Sequence, residues 1–340
     1  MNVLLSVAFV LCWSSGFIGA KLGSGSADVT TLLMWRFLLS AVPLLVWAAF
    51  RRSSWRGLGV RGVARQLAVG VLSQSGYLFT VYYAIRLGVS SGTTALIDGT
   101  QPLVAGALAG PLLGQAVSGR QWLGLLMGLV GVTVVTTADA SAGAGVPGFA
   151  YLVPFLGMVS LVAATFLEGR SRTPVAPSMA MTIHCGASAV VFTVLAAAAG
   201  AVSPPAEPVF WTAVVWLVVL STFGGYGLYW LVMRRSGVTQ VNTLMFLMAP
   251  VTAIWGALMF DEPFGVRTGV GLVFGLAAVV VVHRGARAPG APCAGASPSP
   301  DRGRVERRPP GGTPQGLEDG RPEGQRQHDG QGGARQVPSQ

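Results

Sequence analysis

The sequence is poor in charged residues, and acidic side chains are the scarcest. Charged residues make up 11% of the 340 positions, with 13 Asp and Glu against 23 Lys and Arg. An ordinary soluble domain carries about 25% charged residues. Hydrophobic residues reach 51% here, and the mean hydropathy is +0.58. A soluble fold cannot cover that much apolar surface with so few charges, so the composition indicates a membrane protein.

Cysteine and histidine are also rare, which limits the chemistry open to the chain. The three Cys lie far apart from one another, as do the three His, and they match no disulfide or metal-ligand spacing, so we expect no metal or other cofactor. The sequence contains neither a Walker motif nor a His-Glu-x-x-His motif, which argues against ATP hydrolysis and zinc proteolysis. Arginines flank apolar runs instead of forming a recognition helix, so the net charge of +10 does not indicate a nucleic-acid partner.

Ten apolar runs are long enough for a helix to cross a bilayer, which takes about 20 residues. Their approximate ranges are 2–21, 29–50, 66–87, 90–112, 120–137, 148–168, 178–200, 209–233, 239–260 and 266–284. The fourth and ninth runs contain Pro102 and Pro250, which membrane helices tolerate as kinks and which we interpret as hinges. Residues 285–340 are rich in Pro, Gly, Arg and Gln, and this composition predicts a disordered cytoplasmic tail.

Basic residues are distributed unevenly between the two alternate sets of loops. One set holds Arg51, Arg52, Arg56, Arg61, Arg65, Arg120, Arg170, Arg172, Arg234, Arg235 and Arg284, and the other holds Lys21, Arg86 and Arg267. Cytoplasmic loops carry the excess of Lys and Arg, so both termini are predicted to face the cytoplasm. An even number of spans agrees with this orientation. We therefore expect a multi-pass protein of the plasma membrane.

Two stretches of the chain resemble each other at a nearly constant separation. Gln115, Arg120, Gly124 and Gly128 precede Glu262, Arg267, Gly271 and Gly275 by 147 residues each, and Pro102 precedes Pro250 by 148. This predicts two five-span repeats, 1–140 and 148–284. Because five is odd, the second repeat would insert upside down. Inverted repeats are typical of secondary transporters, whose substrate site lies near the midplane between the halves.

Several short motifs, taken in order, resemble one transporter family. They are Trp13-Ser14-Ser15-Gly16-Phe17 with Lys21, Arg36-Phe37, Gln101-Pro102-Leu103, and the glycine-rich runs 120–137 and 266–284. The sequence resembles the EamA-type members of the drug/metabolite transporter superfamily over about residues 3–284. The resemblance implies an all-α membrane protein of ten spans in two inverted repeats. It further implies an exporter of small metabolites such as amino acids, with cationic amphiphilic drugs as the alternative substrates.

Two charged residues lie inside predicted spans at similar depth. A lone charge within a bilayer costs about 2.5–3.5 kcal/mol on insertion scales, so Arg36 and Asp98 are predicted to pair. Asp98 would then take up a coupling proton or bind a substrate amine, and Arg36 would hold Asp98 ionised or bind a substrate carboxylate. The alternative is a purely structural ion pair. Lys21, at the outer end of the first span, would either snorkel to the interface or gate the cavity mouth.

The remaining candidate side chains are aromatic or weakly polar. Trp13, Ser14, Tyr77 and Tyr226 are predicted to line a cavity for small amphiphilic metabolites, against the alternative of an aromatic belt at the membrane interface. His184 lies within the seventh run, where it could meet Glu168 and support proton coupling, or simply pack in the core.

Three glycine pairs are spaced for close contact between helices. The pairs Gly106/Gly110, Gly124/Gly128 and Gly271/Gly275 have the spacing that lets membrane helices approach closely. They would pack the two halves together or form a homodimer face.

An intramembrane enzyme or a channel is the less favoured alternative, because the sequence lacks a catalytic cluster and rings of like charge.

Overall fold

The structure is a computed structural model that describes residues 3–50, 59–113, 118–142, 145–170 and 175–286. Helices account for 86% of it, and these ranges contain no strand. The predicted tail lies almost entirely outside the described residues. Gln115 also lies outside them. The prediction of an all-α protein is confirmed for the part of the chain that is described.

The α-helices of these ranges follow one another through short connections. In chain order they are α1 (Val3–Gly23), α2 (Val29–Phe50), α3 (Val60–Gly70), α4 (Tyr77–Arg86), α5 (Ser91–Gly99), α6 (Gln101–Leu113), α7 (Gly119–Ala142), α8 (Val153–Gly169), α9 (Pro177–Ala198), α10 (Pro208–Trp216), α11 (Tyr226–Met245), α12 (Met248–Phe260) and α13 (Val266–Ala286). Two π-helical segments, Val71–Gly76 and Leu217–Gly225, join α3 to α4 and α10 to α11. A 3-10 turn, Gly148–Leu152, leads into α8.

Six helical stretches of the described ranges are long and apolar enough to cross a membrane by themselves. They are Val3–Gly23, Val29–Phe50, Gly119–Ala142, Gly148–Gly169, Pro177–Ala198 and Pro208–Ser236. Met248–Phe260 and Val266–Val282 are apolar but shorter. Apolar side chains such as Leu126 and Val273 are also exposed, as expected for surfaces that face lipid. The chain is therefore a multi-pass membrane protein, while its ten spans and inverted repeats stay predictions.

Two of the predicted spans are interrupted at matching points of the suspected repeat. The first break separates α5 from α6 at Thr100, and the second separates α11 from α12 at Phe246 and Leu247. Pro102 and Pro250 lie in the first turns of α6 and α12. A proline is tolerated there because the first N–H groups of a helix have no partner within it. Each proline therefore follows a break instead of bending one continuous helix.

The predicted boundary between the eighth and ninth spans is wrong. The sequence predicted a loop at residues 234–238, but α11 continues without interruption to Met245. Arg234 and Arg235 are exposed, so their charges can stay in a polar environment while the backbone remains helical. The single Gly237 costs a helix only about 1 kcal/mol. The basic pair marks the end of the apolar run, and the helix extends further.

The main core lies where α2 packs along α9. Phe37 of α2 and Phe192 of α9 are both fully or almost fully buried, and their rings stack with centroids 5.7 Å apart. Leu33 and Phe210 belong to the same cluster. Because lipid tails are as apolar as these side chains, close packing rather than escape from the surroundings stabilises this contact. The two helices come from opposite halves of the chain, so the core fixes the halves against each other.

Glycines bring α7 and α13 into direct backbone contact. A Cβ atom added at Gly131 would lie 2.7 Å from the carbonyl oxygen of Gly271, and one added at Gly271 would lie 2.8 Å from that of Gly131. A Cβ atom added at Gly124 would lie 2.9 Å from the carbonyl oxygen of Ala278. The predicted close approach at Gly124 and Gly271 is confirmed, and it packs α7 of one half against α13 of the other.

We expect Gly131→Ala to destabilise the protein by about 1–3 kcal/mol, because the methyl group forces the two backbones apart. Gly106→Ala is the matched control, since a Cβ there meets its nearest neighbour, the Gln121 amide, only at 3.9 Å. It should be neutral or slightly stabilising, because alanine favours a helix over glycine by about 1 kcal/mol. Thermal unfolding of the purified protein compares the two. Equal melting temperatures would contradict the contact.

Candidate functional site

A cavity of about 510 Å³ lies among α1, α4, α5, α6, α8, α9 and α11. Its aromatic wall consists of Trp13, Tyr77, Tyr226, Tyr229 and Trp230. Its polar wall consists of Ser73, Gln74, Asp98, Gln101, Thr165 and His184. Five of the eight predicted binding residues thus lie on one surface. Apolar walls with a few convergent polar groups are typical of sites for small organic molecules.

Asp98 brings the negative charge to this cavity. The Tyr77 hydroxyl donates a hydrogen bond to its Oδ2 atom at 2.8 Å. Its Oδ1 atom is buried and has no hydrogen-bond partner among the residues that the structure describes. Asp98 also lies one residue before the end of α5, where the carbonyl end of the helix adds partial negative charge. The site therefore offers a free acceptor for an N–H donor or a cation.

No Lys or Arg of the described ranges lines the cavity, and the predicted pair of Arg36 with Asp98 is wrong. Arg36 instead donates to three hydroxyl groups, those of Tyr82, Ser221 at 3.1 Å and Thr222 at 3.3 Å. These partners lie on α4 and on the second π-helical segment. The hydrogen bonds of Arg36 thus go to neutral hydroxyl groups, and none of them goes to Asp98.

The ring of His184 is fixed by a bridge to the end of α8. The Gln66 amide donates from Nε2 to Oε2 of Glu168 at 2.8 Å, and its Oε1 lies 2.8 Å from Nε2 of His184. An ionised carboxylate only accepts hydrogen bonds, so Gln66 must turn its NH₂ group to Glu168 and its oxygen to His184. Nε2 of His184 then carries the hydrogen, which leaves Nδ1 as the acceptor. The predicted meeting of His184 with Glu168 therefore runs through Gln66.

Gln66→Leu should destabilise the protein by about 1–3 kcal/mol, since Gln66 is 1% exposed and its loss leaves the His184 N–H without an acceptor. Gln101→Leu is the control, because Gln101 makes an exposed hydrogen bond to Thr165. It should change the free energy of unfolding by no more than about 0.5 kcal/mol. Thermal unfolding measures both. Equal losses would mean that the bridge through Gln66 stabilises nothing.

A polar cluster closes the bundle at the opposite end from the cavity. Nζ of Lys21 lies 3.4 Å from Oε1 of Glu262, and the backbone N–H of Ser91 donates to both Glu262 oxygens at 3.0 Å. The Ser91 hydroxyl also donates to Oε2 at 2.6 Å. Glu262 thereby joins the end of α1 to the start of α5 from the other half of the chain. Lys21 lies in this cluster and does not line the cavity.

Packing around Tyr151 shows that the cluster of Lys21 and Glu262 lies at the end of the bundle where α8 begins. Tyr151, just before α8, clusters with Ala84 and Val89 near the start of α5. The N-terminal end of α8 therefore lies beside the Lys21 cluster, and its C-terminal end, with Thr165 in the cavity wall, lies at the other end. The described bundle is held shut at one end and hollow towards the other.

Ser14 lies outside the cavity wall. It is fully buried and donates to the Met248 carbonyl at 3.4 Å, which links α1 to the start of α12. Pro102 is in the wall, and Pro250 is not. Within the described ranges no three His, Cys, Asp or Glu side chains come together in a way that could hold a metal ion.

Sequence reasoning missed Gln66 and Ser221 as partners of the site. Both are uncharged residues in helical stretches, and their partners His184 and Arg36 are 118 and 185 residues away. A periodicity signal marks Gln66 only as a polar residue in an apolar helix. Its burial could have been suspected because an unpaired amide in a membrane helix needs a partner.

Comparisons with known proteins agree with this architecture. The EamA-like transporter family matches residues 1–137 and 148–284. An uncharacterized transporter of Archaeoglobus fulgidus is 24% identical over 285 residues, covering 81% of this chain and 95% of its own. An uncharacterized transporter of Synechocystis is 22% identical over 305 residues, covering 83% and 89%. One solved crystal structure shares the fold, with a TM-score of 0.60 at 18% identity over 84% of this chain and 96% of that one. The chain therefore belongs to the EamA-like transporter family and is a membrane transporter.

Proposed function

We propose that this protein is a secondary transporter that exports a small metabolite carrying an amino group. The observation that carries the proposal is the buried Oδ1 atom of Asp98, which has no partner among the described residues and lines a cavity of about 510 Å³. An ammonium group donates the charge-assisted hydrogen bond that this oxygen lacks. The faces of Trp13, Tyr229 and Trp230 suit the same ligand, because aromatic rings attract cations.

The substrate class that follows is broader than amino acids alone. Amino acids carry the required ammonium group, and so do amphiphilic amines, which the aromatic wall favours. A carboxylate would find no Lys or Arg among the described residues that line this cavity. Both groups of compounds therefore belong in the first screen.

Protons are the proposed coupling ion, and Asp98 is the proposed point of exchange. A protonated carboxyl group has lost the charge that attracts an ammonium ion, so the two cations compete for one site. Competition at a single site supports exchange of one proton for one substrate cation. His184 lines the same cavity, and because its Nε2 atom bonds Gln66, its Nδ1 atom offers a second acceptor.

The two ends of the bundle support an alternating-access mechanism. The cluster of Lys21 and Glu262 closes one end, while the cavity lies towards the end of α8 that precedes Arg170. The distribution of basic residues predicts that this second end faces the cytoplasm, in the plasma membrane, with both termini on the same side. Substrate would then enter from the cytoplasm, which fits export. We propose the helix breaks before Pro102 and Pro250 as the hinges.

Counterflow in proteoliposomes tests the proposal. Vesicles loaded with unlabelled phenethylamine or phenylalanine are diluted into a trace of the labelled compound, with and without an imposed pH gradient. We expect accumulation of label above that in empty liposomes, which report passive leak, and competition by amines but not by 2-phenylethanol. No accumulation of any amine or amino acid by protein shown to be folded would overturn the proposal.

A further inference from the structure

Arg36 is a buried cation without a buried anion. Its side chain is 2% exposed, and among the described residues no carboxylate lies within ion-pairing distance of its guanidinium. Its polar contacts are the hydroxyls of Tyr82, Ser221 and Thr222. Removing a guanidinium from water costs several kcal/mol unless an opposite charge repays it, and neutral hydroxyls repay only part. The site therefore lacks a negative charge.

The guanidinium also has hydrogen-bonding capacity left over. It carries five N–H groups. The described structure uses one on Nε, one on Nη1 and one on Nη2. One N–H on each Nη nitrogen remains, so the guanidinium can still donate to an anion.

There is space beside Arg36 for the missing anion. A small pocket of about 40 Å³ is lined by Arg36, Ser221 and Tyr82, together with Trp13, Tyr77 and Tyr226. A single water molecule needs about 10–15 Å³ measured in this way, so the pocket has room for a small anionic group. Trp13, Tyr77 and Tyr226 also line the large cavity. The three rings form a shared wall, and the pocket lies behind it.

We propose that Arg36 is an anion-binding site that takes a small carboxylate from the cavity side, through the wall formed by Trp13, Tyr77 and Tyr226. The proposal goes beyond the proposed function, which assigns no role to Arg36. Two sources supply the same chemistry. One is the carboxylate of a zwitterionic substrate whose ammonium group binds Asp98, and the other is a separate monoanion that enters with an amine.

Ser221 allows a variant that tests the charge while keeping Arg36. The Ser221 hydroxyl is 3.1 Å from Nη2, so Ser221→Asp places a carboxylate where the anion is proposed to bind. Ser221→Asn has the same shape without the charge and is its matched control. Arg36→Gln removes the cation itself, and Ser221→Asp covers the case in which Arg36→Gln does not fold.

The experiment measures ligand binding to the purified full-length protein by the fluorescence of tryptophan, since Trp13 borders both spaces. At constant ionic strength, acetate is compared with the neutral acetamide, chloride is tested alone, and phenylalanine is compared with phenylalaninamide. Wild type and Ser221→Asn should bind acetate about tenfold or more better than acetamide. Ser221→Asp and Arg36→Gln should lose that preference and still bind phenethylamine.

The comparison of ligands shows whether the bound carboxylate belongs to the substrate or to a separate anion. A tenfold preference for phenylalanine over phenylalaninamide supports a zwitterionic substrate. Binding of acetate or chloride without that preference supports a separate anion. Equal binding of acetate and acetamide by wild type, or a preference that survives in Ser221→Asp, overturns the proposal. Failure of amine counterflow in wild type overturns the proposed function instead, because the anion measurement does not depend on transport.

Discussion

Asp98→Asn should weaken the binding of phenethylamine about tenfold to a hundredfold. A hydrogen bond to a charged group contributes about 1.5–3 kcal/mol, and each 1.4 kcal/mol changes an affinity tenfold. Asparagine preserves the size of the side chain, and its amide oxygen can still accept the hydrogen bond from Tyr77 that Asp98 accepts at 2.8 Å. The variant therefore removes the charge with little change in packing. Titration of tryptophan fluorescence in the purified protein measures the affinity.

Asp28→Asn is the matched control for this variant. Asp28 is an exposed acid that pairs with Arg86 at 3.4 Å, far from the cavity wall. It undergoes the same chemical change and should leave the affinity for phenethylamine unchanged. Equal affinity in wild type and Asp98→Asn would exclude Asp98 as the contact of the ammonium group.

Glu262→Gln should destabilise the protein by about 1–3 kcal/mol and more than Lys21→Gln does. Side-chain exposure is 6% for Glu262 and 24% for Lys21, so the pair is mostly withdrawn from solvent. Without the carboxylate, Lys21 loses its counter-charge, and the Ser91 N–H and hydroxyl lose their charged acceptor, since the amide of glutamine accepts through one oxygen only. In Lys21→Gln the carboxylate keeps both bonds from Ser91, so the loss is smaller.

Two further variants separate the ion pair from the helix cap. Asp28→Asn breaks an exposed pair and should cost only about 0–1 kcal/mol. The exchanged pair, Lys21→Glu with Glu262→Lys, restores opposite charges but places a cation at the positive end of α5, so it should not restore stability. Thermal unfolding ranks the variants. Full recovery in the exchanged pair would show that Glu262 acts through Lys21 alone.

The positions of the helices could be predicted from the sequence because a long apolar run of residues identifies a membrane helix. The predicted run 29–50 coincides with α2 (Val29–Phe50), and the run 178–200 nearly coincides with α9 (Pro177–Ala198). The breaks inside runs could not be placed in this way. Thr100 and Leu247 are ordinary residues in apolar surroundings, and only the prolines two or three positions later mark those breaks.

The candidate site was predictable in its residue types and not in its pairings. Asp98, Trp13, Tyr77, Tyr226 and His184 do share one cavity. Charge alone suggested that Arg36 and Asp98 would meet, since opposite charges within a bilayer attract. In the structure each of them contacts hydroxyl groups instead, and one oxygen of Asp98 has no partner among the described residues. The number of neutral side chains that can accept or donate a hydrogen bond is large, so sequence patterns cannot select among them.

The contact of Glu262 with the start of α5 also depends on packing that no local sequence pattern indicates. Glu262 is one residue beyond the left-handed Asp261 that ends α12, with a φ of 52°. That turn directs the chain back towards α5, so that Glu262 reaches Ser91 from the other half of the chain. The sequence identified Glu262 only as a counterpart of Gln115.

Counterflow of labelled phenethylamine, run in parallel for wild type, Asp98→Asn and Asp28→Asn, tests the central claim most directly. All three proteins are reconstituted at equal density, and empty liposomes report the leak. The account predicts accumulation by wild type and by Asp28→Asn, and none above the leak by Asp98→Asn. Accumulation by Asp98→Asn at the wild-type rate would contradict it, because transport would then proceed without the carboxylate on which the account rests.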